Sequence, residues 1–251
     1  MVDAFLKELS HWKSLGWNGP WNSVYLGGGT PSLLKPSEIG RLLEGIYSGF
    51  DIIDEAEITL EANPDDLITE ALSAWRSLGV NRLSIGVQSF SDPDLEWMNR
   101  SHNAAQAIES LVLARKAGFE QFSIDLIYGL PHSEAWERNV QTALDLQPLH
   151  ISAYSLTVEP QTVLANRVRK GIEKESPDGK VEREYQFLCQ QLSDAGYRHY
   201  EISNFALPGQ EAVHNQAYWN GDRYLGIGPS AHSFDGKRRW WNVENNARYK
   251  K

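Results

Sequence analysis

Val24-Tyr25-Leu26-Gly27-Gly28-Gly29-Thr30-Pro31-Ser32 is an apolar run that breaks into three glycines, a hydroxyl residue and a proline. Glycines at the end of a strand let backbone amides and carbonyls approach a ligand with no side chains between. No G-x-G-x-x-G pattern follows the run, so the turn lacks the dinucleotide-binding signature of an open doubly wound sheet. The remaining parallel architecture is a barrel or partial barrel.

The flanking sequence supports that choice. Residues 3–15 carry Phe5, Leu6, Leu9, Trp12 and Leu15 at helical spacing, with Gly16 as a stop. Residues 23–26 read as a strand. Pro36 opens a helix through Ile39, Leu42, Leu43 and Ile46, and Ile58–Leu60 reads as the next strand. Thr69 caps a helix carrying Leu72, Trp75 and Leu78, which Gly79 closes. Strands are predicted at 82–87, 122–127 and 150–156, with helices at 104–117 and 133–146 between them. Five strands joined by helical crossovers imply a parallel α/β sheet with right-handed connections.

Beyond residue 160 the alternation breaks. A helix at 181–194 precedes a strand-like run, Tyr197–Ile202, and a tail rich in Trp, Tyr, Asn and Gly without a regular period. Residues 1–160 therefore group as a partial β/α barrel. Residues 161–251 complete the barrel region as a C-terminal α+β extension.

A net charge of −9 argues against nucleic acid as the main partner. No apolar run approaches the roughly 20 residues that span a bilayer, and Met1–Leu9 does not read as a signal peptide. The single cysteine, Cys189, excludes an intrachain disulfide and a thiolate-rich metal centre built from this chain. Cytoplasmic residence follows as the expectation.

Functional groups in parallel barrels gather at the carboxyl ends of the strands. Four successive strands present candidates there: Gly27, Gly28, Gly29 and Thr30 on the first, Glu61 on the second, Gln88 on the third and Asp125 on the fourth. Any one alone reads as a solvated polar residue capping a loop. All four converging on one rim would hold a polar ligand, the carboxylates suiting hydroxyls or an ammonium group and Arg100 a ligand carboxylate.

The runs Gly27–Ser32, Leu60-Glu61-Ala62-Asn63-Pro64, Gly86-Val87-Gln88-Ser89-Phe90 and Ser123–Pro131 resemble, in order and spacing, the radical S-adenosylmethionine (SAM) enzymes of the oxygen-independent coproporphyrinogen III oxidase family. The resemblance implies an incomplete parallel barrel in which the glycine segment binds the methionine part of SAM. It also implies SAM contacts for Glu61, Gln88, Arg100 and Asp125. His214-Asn215-Gln216-Ala217-Tyr218-Trp219 matches the H-N-x-x-Y-W signature of the HemW-type branch, whose members act as heme chaperones. That match implies heme contact by His214, as a ligand to its iron. Composition alone leaves open a histidine satisfied inside an aromatic core. His232, in Gly228–Ser233, also resembles a family segment and reads as structural packing.

The family's C-x-x-x-C-x-x-C motif, which holds a [4Fe–4S] cluster, is absent, as is the strand before it. Cys189 reads instead as a small apolar residue on a helix. The expectation is a barrel lacking its first strand, unable by itself to cleave SAM reductively. Its edge at residues 23–26 invites pairing with a second copy or lowers stability. The leading functional reading is heme handling, with heme or porphyrin and heme-accepting proteins as partners. Its alternative within the family is coproporphyrinogen III oxidase, and outside it a barrel hydrolase using Asp125 and His232, or an inert fragment.

Overall fold

The computed structural model describes residues 1–250. The elements run α1 (Val2–Ser14), β1 (Trp21–Leu26), α2 (Pro36–Gly49), β2 (Ile52–Ala62), α3 (Thr69–Ser77), β3 (Arg82–Gln88), α4 (Asp92–Trp97) and α5 (Ala104–Lys116). They continue through β4 (Phe122–Tyr128), α6 (Trp136–Leu146), β5 (His150–Ser155), α7 (Val163–Arg169), α8 (Asp178–Asp194), β6 (Arg198–His199) and β7 (Asn204–Ala206). α9 (Val213–Asn220), β8 (His232–Phe234), β9 (Arg239–Trp241) and α10 (Asn246–Tyr249) complete the chain.

These elements form two compact units. The first comprises Met1–Leu60, Glu70–Arg82 and Ala212–Lys251, and the second Glu61–Thr69 and Leu83–Glu211. The residues grouped in the sequence as 161–251 thus divide between the units after Glu211.

In the first unit β1 and β2 run parallel, with Ser23 opposite Glu57 and Tyr25 opposite Thr59. Because side chains alternate along a strand, Ser23, Tyr25, Glu57 and Thr59 share one face, and Val24, Leu26, Ile58 and Leu60 the other. Leu60 is fully buried and Ile58 nearly so, with Ile39 and Leu43 of α2 and Leu72 and Trp75 of α3 also buried in this unit's core. Pro36 starts α2, where its missing N–H is no loss, and the Lys35 amide donates to Glu38 at 3.1 Å.

In the second unit the strand order is β3-β4-β5-β7-β6. β3, β4 and β5 are parallel, whereas β7 runs antiparallel to both β5 and β6. One set of alternate residues is apolar and buried: Leu83, Ile85, Phe122, Ile124, Ile151 and Phe205. Buried Ala107, Leu111 and Ala114 of α5 and Leu188 and Leu192 of α8 belong to the same core. Asn103 and Gln106 cap α5 reciprocally, each backbone amide donating 2.9 Å to the other's side chain. The other set is polar: Ser84, Gly86 and Gln88 on β3, Ser123 and Asp125 on β4, Ser152 and Tyr154 on β5. A parallel sheet enclosed by helices on both faces would be apolar on both. Here one face is reserved for polar chemistry.

Several elements differ from the sequence expectations. The second strand is longer, Ile52–Ala62, because its first half is acidic and carries little apolar signal. The run Tyr197–Ile202 is not one strand. Only Arg198–His199 pairs, and the chain turns back into Asn204–Ala206. The aperiodic tail contains a helix, α9, and the hairpin β8–β9. α4 and α7, six and seven residues long, are too short to show a period.

Candidate functional site

Each unit assembles its own cluster of functional side chains. In the second unit, Asp125 on β4 accepts hydrogen bonds from Ser84 Oγ at 3.2 Å on both carboxylate oxygens. Arg100, after α4, donates from Nη2 to Asn63 Oδ1 at 2.6 Å and to the Gly86 carbonyl at 3.2 Å. Burial pulls the Arg100 guanidinium below its usual range, while Asp65 and Asp125 act in the opposite direction. The arginine is therefore held over the end of β3, within the field of the Asp125 carboxylate.

Gly86 makes that arrangement sterically feasible. A Cβ there would lie 2.8 Å from Gln88 Nε2 and 3.4 Å from Arg100 Nη2. Gln88 itself ends β3 at φ 66°, where a break in strand register redirects it. A left-handed backbone at glutamine costs roughly 1 kcal/mol. The sheet holds it there nonetheless.

Tyr154 on β5 was not anticipated from sequence. Burial drives its phenol well above the usual tyrosine range, and the nearby carboxylates of Asp125, Glu201 and Glu61 push it further. Three carboxylates thus act on one phenol that remains 44% exposed. Glu201 is fixed by the Ser203 amide at 2.9 Å and by the Asn204 side chain. The structure accordingly brings Glu61, Gln88, Arg100 and Asp125 into one unit and adds Asn63, Tyr154 and Glu201. The alternation Glu57-Ile58-Thr59-Leu60-Glu61 and the polar position of Tyr154 in Ser152-Ala153-Tyr154 were the available signals.

In the first unit, Gly27, Gly28 and Gly29 follow β1 and are exposed, with Thr30 partly so. Gly28 has φ 78°, and a Cβ on Gly28 or Gly29 would meet nothing within 4 Å. The bare backbone there is open, not filled by the fold.

His214 lies on α9 of the same unit and is held on several sides. Its Nδ1 exchanges a hydrogen bond with Ser23 Oγ at 3.2 Å, and its Nε2 with Tyr218 Oη at 3.1 Å. The Tyr25 ring stacks on the imidazole at 4.6 Å and 22°. Below the helix, Glu57 accepts from the backbone amides of Val213 at 3.0 Å and His214 at 3.1 Å. A carboxylate at a helix N-terminus satisfies donors that have no partner within the helix and favours the macrodipole. Buried Arg82 lies 3.7 Å from the same carboxylate.

Burial pushes the His214 pKa down to about 4, so the imidazole is neutral near pH 7. Neutral imidazole is the form that binds a metal ion. His214, Tyr25, Tyr218 and Gly27 all line a cavity of about 410 Å³, otherwise walled largely by apolar groups such as Phe5, Leu42 and Phe50. His232 also lines it, with its ring 5.9 Å from that of Trp241. His214 is thus an aromatic-packed, hydrogen-bonded histidine that borders a cavity.

The Radical SAM superfamily model matches residues 9–141, more than half of the chain. The chain belongs to the radical SAM superfamily. Among curated radical SAM relatives, heme chaperone HemW of Lactococcus lactis subsp. lactis (strain IL1403) is 39% identical over 244 residues, covering 96% of this chain and 64% of that protein. Heme chaperone HemW of Bacillus subtilis (strain 168) is 40% identical, covering 88% of this chain and 59% of that protein. The chain thus spans less than two thirds of either relative's length. The structure of Escherichia coli coproporphyrinogen III oxidase (HemN), a radical SAM enzyme, superposes with a TM-score of 0.80 at 27% identity over 99% of this chain and 60% of that one. The expected partial α/β barrel of the radical SAM type is borne out, and within the superfamily the resemblance runs to the HemW-type branch.

Proposed function

We propose that this chain is the SAM- and heme-handling core of a HemW-type heme chaperone. The observation that carries the reading is His214. A neutral imidazole sits on the H-N-x-x-Y-W helix, fixed by Glu57, Ser23 and Tyr25, at the wall of an apolar cavity. Heme asks for such a neutral nitrogen and for flat, apolar surroundings. Heme-accepting proteins follow as partners, and a cytoplasmic setting fits a chain with one cysteine. Among the described residues no helix is long and apolar enough to cross a membrane.

SAM is the second ligand of this proposal. Within the second unit, Glu61, Gln88, Arg100 and Asp125 would hold it. The donor set suits it: carboxylates for ribose hydroxyls and an ammonium group, and a guanidinium for the carboxylate. The side chains present do not suit a [4Fe–4S] cluster. The sequence has one cysteine, Cys189 on α8, whose thiol burial pushes up. These residues bind and orient SAM but assemble no thiolate set, so no step through a cluster is assigned to them.

The oxidase reading rests on the resemblance of the strand-end runs and on the HemN fold. The higher identity to HemW relatives and the H-N-x-x-Y-W helix favour the chaperone. A hemin titration of the wild type and His214→Ala, followed at the Soret band, tests the reading. A shifted, weakened band is expected in the variant, and identical spectra would overturn the role of His214. Calorimetry with SAM, expected to lose its signal in Asp125→Ala, tests the other half.

A further inference from the structure

Among the described residues, Arg223 is the one charged group lining the cavity beside His214. It follows α9 and lines the cavity together with Tyr218, Tyr224 and apolar side chains of α1 and α2. Its guanidinium lies over the Trp17 ring, 5.8 Å from the centroid. Among the described residues no carboxylate forms a salt bridge with it. A guanidinium with no carboxylate partner, at the wall of an apolar chamber, is suited to an anion arriving on an apolar ligand.

From this we propose that Arg223 is the carboxylate anchor of the cavity. The class of ligand is a flat, apolar macrocycle that places a metal at His214 Nε2 and a peripheral carboxylate at Arg223. The inference rests on the heme reading above and adds a second recognition point to it. Tyr218 Oη holds His214 Nε2 at 3.1 Å, a hydrogen bond that a metal at that nitrogen would have to displace. Ser23 remains on Nδ1 and keeps the ring oriented.

The test compares hemin with hemin dimethyl ester, which retains the iron and the ring but has no ionised carboxylates. Wild type, Arg223→Gln, Arg223→Lys and His214→Ala are titrated with both. Wild-type protein is expected to bind hemin roughly tenfold tighter than the ester, the size of one charge-assisted hydrogen bond. Arg223→Gln is expected to bind both ligands equally, at the wild-type affinity for the ester, and Arg223→Lys to recover part of the preference. Arg223 is exposed, so the variants are expected to fold, which circular dichroism checks. A preference that survives in Arg223→Gln while His214→Ala loses binding would overturn the anchor and leave the heme reading intact. Affinities insensitive to both residues would overturn the heme reading itself, and would leave the cavity to an extended chain segment lying along β1.

Discussion

The depressed pKa of His214 makes stability depend on pH in a calculable way. In the folded chain the imidazole titrates at about 4, against 6.5 when solvated. Between those values the unfolded chain carries a proton on His214 and the folded chain does not. Stability therefore rises with pH through this window, is fully present above it, and is lost as pH falls toward the folded value. The displacement from 6.5 to about 4 corresponds to a limit of roughly 3 kcal/mol, of which about 2 kcal/mol is expected to disappear between pH 7 and pH 4.5.

Other carboxylates and histidines titrate over the same range, so the comparison must be differential. Urea unfolding of the wild type and His214→Gln, at matched pH values, cancels the groups shared by both. The glutamine retains a hydrogen-bonding group toward Ser23 but cannot take up the proton. The difference in unfolding free energy should narrow by about 2 kcal/mol on acidification to pH 4.5, as the wild type alone loses its histidine contribution. Proton NMR of the imidazole supplies the midpoint directly. Parallel pH curves for the two proteins, or an imidazole midpoint near its solvated value, would refute the argument that burial keeps His214 neutral.

Removing the carboxylate in Glu57→Ala deprives the first two amides of α9 and buried Arg82 of a partner, and should lower the unfolding free energy in urea by about 3 kcal/mol. Gly86→Ala drives a methyl into the mobile end of Gln88 and against Arg100; calorimetry should show weakened SAM binding, with a melting temperature close to wild type. Gln88→Gly should stabilise the chain by roughly 1 kcal/mol in urea unfolding by relieving a left-handed φ, while also weakening SAM binding. Gly226→Ala meets backbone instead of a side-chain tip, with a Cβ 2.2 Å from the His232 carbonyl oxygen; a loss of more than about 3 kcal/mol should be visible as a collapse of the thermal transition.

Much of this was legible in the sequence because parallel strands joined by amphipathic helices have distinct periods. The runs at 82–87, 122–127 and 150–156 differ from the observed strands by one residue at the carboxyl end, where hydrogen bonding rather than hydrophobicity sets the boundary. The candidates Glu61, Gln88 and Asp125 stood out because each interrupts or ends an apolar run. Glu57 did not stand out. It lies in Asp54-Glu55-Ala56-Glu57, which reads as a solvated acidic stretch, yet Glu57 is only 8% exposed because α9 closes over it from more than 150 residues away. Local sequence carries no trace of such a partner.

The placement of Glu57 also explains how one short motif can serve two demands. A helix of eight residues has little stability of its own, and α9 has no side-chain cap from its flanking sequence. Glu57 provides the missing cap from a strand of the sheet, where its position is set by pairing with Ser23, the same residue that orients His214. Cap and orienting hydroxyl are therefore neighbours across one strand pair, and movement of β1 against β2 would disturb both together. Folding of the sheet edge and readiness of the histidine are consequently one event. On this argument a substitution that weakens β1–β2 pairing, well away from the cavity, should raise the imidazole pKa toward its solvated value in proportion to the helix it loosens. Ser23→Ala, which removes the hydroxyl but leaves the strand pair and its backbone bonds in place, should shift that pKa far less than Glu57→Ala.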